Sequence, residues 1–291
     1  MGDELRLLTA THDATSSAVL GTAGARIGDL AWCAAPGYEQ YVAVGCDDHT
    51  VQLWHLELAH GGRAAAARVL RVGAPVRTVA FHTHVPKLLL VVDASGVGRL
   101  VDWAAALAAP DARALPTSAS FADAHAVAQH AAQGAPAAGH AAWHALDADV
   151  VGAALGAHWH VWQLGARGGG AHVVLHGAVP GGAQQPGGAC LAFAPTNARL
   201  LAVGARAPCA EGGVLLIDTA FPQSPRSVAV QVQTARVPAA VDVRGGARAA
   251  RGAARTAAEG VAALAWLPQR VAGTDVLLVA VGARLVAVCA T

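Results

Sequence analysis

Short apolar runs, each closed by an aromatic residue, punctuate the chain. Five segments open on small or apolar residues and end at such an aromatic: IGDLAW at Trp32, VRTVAF at Phe81, GHAAW at Trp143, GACLAF at Phe193 and VAALAW at Trp266. After each comes a turn-like stretch and then a second apolar run: YVAVG, KLLLVV, VVGAAL, RLLAVG and DVLLVAVG. A third run follows in the same order: TVQLWHL, GRLVDW, WHVWQL, GVLLID and ARLVAV. Runs this short, alternating or wholly apolar, predict strands, and no amphipathic helix of roughly 10 to 15 residues separates them as a βαβ fold requires. The pattern therefore predicts an all-β protein of five units with three strands each, arranged as a radial array of small sheets. The competing arrangement is five unrelated hairpins in a sandwich.

The marker aromatics stand 49, 62, 50 and 73 residues apart, more than the roughly 40 to 45 residues of a WD40 repeat. The excess is assigned to two alanine-rich inserts, about 104–138 and 206–259, within one domain spanning 1–291. The stretch CDDHTVQLWHL resembles the turn and third strand of a WD40 blade. Asp47, Asp48 and Thr50 satisfy the turn amides, and Trp54 fills the space between neighbouring blades. GRLVDW carries the pair Asp102 and Trp103 in reversed order, and WHVWQL puts Trp162 where Trp54 sits. Trp32, Asp47, Asp48, Thr50, Trp54, Phe81, Asp102, Trp103, Trp143, Trp162, Phe193 and Trp266 are thus expected to be structural blade residues.

Composition changes this picture only modestly. Lys87 is the sole lysine and Asn197 the sole asparagine, while alanine, glycine, arginine and valine abound, so the 54% hydrophobic fraction overstates the core. Aromatics are only 4%, which makes each tryptophan informative. A net charge of +1 with 13% charged residues argues against binding nucleic acid or acidic membranes through the overall field. Cys33, Cys46, Cys190, Cys209 and Cys289 form no C-x-x-C pair, which fits neither a disulfide framework nor a zinc knuckle. MGDELRLL is no secretory signal, and Val276–Ala290 is interrupted by Arg284 and short of the roughly 20 apolar residues of a span. The expectation is a soluble intracellular protein.

The chain carries no G-x-S-x-G elbow and no phosphate loop, and GVGRLV has only two of the three dinucleotide-motif glycines, so no cofactor is expected. His82 with His84 and His158 with His160 are spaced two apart, which on a strand puts both rings on one face, as a metal site requires. His49, Asp47 or His144 are the third ligands to weigh, against the reading that HWH is an ordinary strand face beside Trp159 and Trp162. Arg244, Arg248, Arg251 and Arg255 would share one helical stripe facing an acidic partner, but Gly245, Gly246 and Gly252 favour a surface loop. Ser120 and Asp123 are candidate caps for a short helix that Gly134 and Pro136 end.

GCDDHTVQLWHL, then VRTVAFHTHVPKLLLVVDASGVGRLVDW, then AAWHALDADVVGAALGAHWHVWQL together resemble, in order, blades of one WD40 family. That family comprises the thirty-seven-kilodalton propeller nucleoporins of the nuclear pore's outer-ring Y complex. The likeness covers roughly Ile27 to Cys209 well and Val261 to Ala290 loosely, and leaves both inserts unmatched. His82 and Thr83 stand where the family has His-Pro, with Pro86 displaced. The seven-bladed family also has about two further blades upstream of the DDHT repeat, whereas 26 residues precede Ile27 here, so the expectation is either a sequence that lacks its beginning or an unusually short propeller, incomplete relative to that family. The resemblance implies a non-catalytic scaffold at the nuclear envelope that supports nucleocytoplasmic transport. Its partners would be other Y-complex nucleoporins, above all the large propeller-solenoid subunit. The rivals are a WD40 adapter of a ubiquitin ligase or another regulatory complex, and a propeller enzyme built on the histidines.

Overall fold

The computed structural model describes residues 2–10, 15–56, 66–109, 115–133, 138–165, 170–179, 189–205, 213–221, 226–228, 261–281 and 284–290. Its strands form six antiparallel sheets in chain order, here blades I to VI. Blade I pairs β1 (Glu4–Ala10) with β2 (Thr15–Thr22). Blade II runs β3 (Ile27–Trp32), β4 (Tyr41–Cys46), β5 (Thr50–His55) and β6 (Ala66–Arg71). Blade III runs β7 (Val76–Phe81), β8 (Leu88–Asp93), β9 (Val97–Asp102) and, after α1 (Trp103–Ala108), β10 (Thr117–Ala122). After α2 (Ala124–Gln133), blade IV comprises β11 (Ala138–Trp143), β12 (Val150–Leu155), β13 (His158–Leu164) and β14 (Ala171–Ala178). Blade V comprises β15 (Ala189–Phe193), β16 (Leu200–Ala205), β17 (Val214–Asp218) and β18 (Arg226–Val228). Blade VI has β19 (Val261–Trp266), β20 (Asp275–Val281) and β21 (Arg284–Ala290).

The sequence pattern predicts three strands per unit, whereas four of the sheets have four. The missed strands are the outermost. β6 and β14 have mostly exposed or partly buried positions, and β10 reads TSASFA, so none is apolar along its length. Two of the fourth strands lie inside the expected inserts: β10 falls within 104–138 and β18 within 206–259. The first insert is thus part of blade III together with two helices. Asp102 caps α1 by accepting from the backbone N of Ala105 at 2.9 Å. Asp123 precedes α2 and its carbonyl accepts from Val127 N, while Ser120 lies within β10 rather than at a cap.

The apolar core lies between sheets as a series of separate seams. Even and odd positions of a strand face opposite neighbours, so the middle strands of each blade are apolar on both sides. In β8, Leu89 and Val91 face blade II while Leu90 and Val92 face blade IV. Large aromatics fill the seams. Trp54 joins Val42 and Val44 against Leu5 of blade I, Trp103 joins Phe81 between blades II and III, and Trp162 packs with Phe121 between III and IV.

Candidate functional site

Blade-to-blade junctions are made by the first strands, and three positions on them recur. The first is the aromatic at the strand end. Trp143 of blade IV donates its indole N–H to the carbonyl of Ala80 on blade III, and Trp266 of blade VI donates to Ala192 of blade V, both at 3.0 Å. Ala80 and Ala192 occupy the same place, one residue before Phe81 and Phe193.

The second position lies three residues before the aromatic and reaches forward. Asp29 accepts from Val79 N at 3.0 Å, Thr78 accepts from Ala141 N at 3.3 Å, and the His140 ring meets the carbonyl of Leu191 at 3.1 Å. Each side chain of one blade therefore holds the backbone of the next. Such bonds satisfy groups that would otherwise be buried unpaired.

The third is the residue just after the aromatic. His82 Nδ1 accepts from the backbone N of His84 and of Val85, which puts the ring proton on Nε2, and Nε2 donates to Ala148 O of blade IV at 2.8 Å. His144 repeats this with Leu146 N, Asp147 N and, across the seam, Ala198 O at 2.9 Å. Burial pushes the His82 imidazolium to a lower pKa than the ordinary 6.5, against the opposing pull of its bond to Ala148. His84, the other half of that sequence pair, reaches Ala145 O instead.

The second histidine pair lies elsewhere. His160 is buried, stacked on Trp162, with the rings of His158 and His176 both centred 6.2 Å away. Its Nε2 is 2.9 Å from Asp123 Oδ2 at the start of α2. Burial lowers its pKa, the Asp123 charge opposing. Among the described residues, no group of three or more His, Cys, Asp and Glu side chains is arranged to hold a metal ion. His82 and His160 stand in different blades, and two of the ligands weighed with them in the sequence, Asp47 and His144, are engaged in other contacts. Asp47 lies between Arg26 and Arg77, linking blades II and III, while His144 bridges blades IV and V.

The remaining sequence-predicted residues fall as follows. Asp48 accepts from the Thr50 hydroxyl at 2.6 Å and closes the turn into β5. Asp93, fully buried, does the same for blade III by accepting from Ser95 N, Val97 N and Arg99. Trp103 Nε1 donates to Pro86 O at 2.7 Å with its ring among Tyr38, Tyr41 and Phe81. Phe193 is buried against the His144 ring. Trp32 departs from the expected wedge: it is half exposed, and its indole N–H goes to Glu39 O in its own loop. Arg244, Arg248, Arg251 and Arg255 lie outside the described residues.

Sequence reasoning missed Asp29, Thr78 and His140, although the signal was there: a polar residue at a fixed offset inside an apolar strand. It also missed Asp275, which blade VI sends back to Thr196 of blade V. Burial pulls the Asp275 carboxyl upward, but hydrogen bonds from Thr196 and Arg270 win and hold it below the usual carboxylate range.

No protein-family model and no curated protein sequence matches the chain. Among solved structures, the chain is similar to Chaetomium thermophilum Sqt1 bound to the N-terminus of the ribosomal protein L10. The TM-score is 0.57 at 15% identity, with 95% of this chain and 65% of that one covered. Saccharomyces cerevisiae Sqt1 is also similar, at TM-score 0.48 and 14% identity over 68% of this chain and 46% of that one. The chain thus spans about two thirds of the length of the Chaetomium structure. Stacked antiparallel sheets, aromatic seams and this likeness together give the fold: the chain is built as a WD40-type β-propeller.

Proposed function

We propose that this propeller is a non-catalytic scaffold subunit of the nuclear pore's outer ring, working through protein–protein binding. A rigid stack of sheets with a net charge of +1 suits a protein held between other proteins, since affinity then comes from shape and a few anchors rather than from a strong field. What supports the finer assignment is the ordered resemblance of GCDDHTVQLWHL, VRTVAFHTHVPKLLLVVD and AAWHALDADVVGAAL to blades of the outer-ring propeller nucleoporins. The partner of this reading is the large propeller-solenoid subunit of the Y complex, and the place is the nuclear envelope. The whole chain, 1–291, acts as one binding module in this account.

Purification of the tagged chain from its own cells, followed by mass spectrometry, tests the proposal. Recovery of Y-complex nucleoporins is the expected outcome. Recovery of ubiquitin-ligase subunits or a ribosomal protein, with no nucleoporin, would replace it with an adapter or chaperone role.

A further inference from the structure

Each link from a first to a second strand is pinned by the residue that follows the aromatic. The backbone N of Cys33, His82, His144, Ala194 and Leu267 donates to the carbonyl of Tyr41, Leu88, Val150, Leu200 and Val276 respectively, at 2.9–3.0 Å. The five positions are therefore equivalent, yet only blades III and IV place an imidazole there. In both, the ring does the same two things. Its Nδ1 accepts two backbone N–H groups of its own turn: His84 and Val85 at 2.8 and 2.9 Å in blade III, Leu146 and Asp147 at 3.1 and 2.9 Å in blade IV. Its Nε2 donates across the seam, from His82 to Ala148 O and from His144 to Ala198 O. In the equivalent turn of blade V, where Ala194 replaces the imidazole, Asn197 Oδ1 accepts from Arg199 N at 3.0 Å.

The two turns are also joined to each other. Ala148, which accepts from His82, lies in the turn that His144 organises, and His84 Nε2 donates to Ala145 O of that same turn at 3.0 Å. Val85 and Leu146 stand on the turns with their side chains largely in solvent. Around His82 are the Trp143 ring, 4.1 Å away, His84 and Lys87 of its own turn, and Asp149 of blade IV. Burial and the His84 charge disfavour its imidazolium, the bond to Ala148 and the Asp149 charge oppose them, and burial wins, so His82 takes up a proton only below the ordinary 6.5. Around His144 are the Phe193 ring, 4.7 Å away, Asp147 and Asp149 of its own turn, and Arg199 next to Ala198 in blade V.

We propose that turns 82–87 and 144–149 are a linked pair of proton-operated latches, closed while both imidazoles are neutral and released by acid. A neutral ring accepts at Nδ1, whereas an imidazolium carries hydrogen on both nitrogens and accepts at neither. A proton taken from solvent onto Nδ1 therefore meets two N–H groups head-on, and both turn bonds are lost together. The bonds from Nε2 already use a hydrogen and survive, as does the one from His84, so the seam stays tied while the turns open. Val85 and Leu146 then lose their fixed places, and the face at this end of blades III and IV changes shape. Opening of one turn loosens an acceptor of the other, so the two respond together. The inference goes beyond the nuclear-pore reading and does not depend on it, since it concerns a response of the chain itself.

The test is amide hydrogen exchange on the full 15N-labelled chain, with each rate corrected for its intrinsic pH dependence. Between about pH 7.5 and about pH 5, the amides of His84, Val85, Leu146 and Asp147 should lose roughly fivefold or more of their protection, with a ceiling of about thirtyfold set by linkage to a pKa of 6.5. Arg199 and Leu200 in the turn of blade V should keep theirs. Two-bond 1H–15N spectra of the unsubstituted chain should show Nδ1 of both rings unprotonated at the upper pH. His82→Asn, whose Oδ1 accepts where Nδ1 did and does not titrate, should abolish the response of His84 and Val85, while His172→Gln on the exposed side of β14 changes nothing. Protection that stays constant with pH, an equal loss in the turn of blade V, or a ring found with Nδ1 protonated at the upper pH would overturn the proposal. So would a His82→Asn chain whose turn keeps the full pH response.

Discussion

His49 holds φ at 67° in the turn between β4 and β5, at the place where Gly96 turns with 86° between β8 and β9. A side chain in this left-handed region costs about 1 kcal/mol, and histidine is among the few residues that adopt it with some frequency. His49→Gly should therefore raise stability by about 0.5–1 kcal/mol, net of the freedom glycine adds to the unfolded chain, as measured by urea midpoint. His82 and His160 give the opposite kind of prediction. Both are more easily deprotonated in the fold than at the ordinary 6.5, chiefly because they are buried. As pH falls below 6.5, the unfolded chain takes up protons that the folded chain resists, so stability present above that pH declines below it. Thermal midpoints measured from pH 7.5 to 5 should fall, and His82→Gln should flatten part of the slope. The sequence showed these histidines as two pairs spaced two apart, weighed as metal ligands against the reading of an ordinary strand face. What it did not show was the seam, because the partner of His82 is a carbonyl 66 positions away, and a carbonyl leaves no mark in a sequence.

At the level of strands, the seams depend on close approach. A Cβ added to Gly45 in β4 would stand 2.4 Å from Val76 Cγ1, and one at Gly204 in β16 would stand 2.7 Å from Val261 Cγ1, so the first residue of the next blade uses both gaps. Gly45→Val forces blade III outward and should cost about 1–3 kcal/mol by overpacking, visible as a lower denaturant midpoint. Trp54→Ala empties the seam between blades I and II and should cost about 3–5 kcal/mol, whereas Trp143→Phe, which removes only the bond to Ala80 O and some contact area, should cost about 1 kcal/mol. First, second and third strands were legible in the sequence because they are buried on both faces or end on an aromatic. The fourth strands were not. They sit at the rim with one face in water: TSASFA carries no apolar run, and AHVVLHGA only the three residues Val173, Val174 and Leu175 between histidines.

For the molecule as a whole, the repeated junction explains both what is closed and what is open. From blade II to blade VI each seam is filled, and the first strands touch one another in chain order. Among the described residues, Leu30 and Trp32 on the face of blade II toward blade I stay 51% and 50% exposed. The sequence assigned Trp32 the same wedging role as its counterparts, since all five segments look alike until their neighbours are known. The most direct test of this account is amide and indole hydrogen exchange on the full chain with 15N-labelled tryptophan, each of the seven indole resonances assigned by single Trp→Phe substitution. The account predicts slow exchange at the Nε1–H of Trp143 and Trp266, which bridge to Ala80 and Ala192 of the preceding blade, and fast exchange at Trp32. Fast exchange at all three, or protection of Trp32 in the isolated chain equal to that of Trp143, would contradict it.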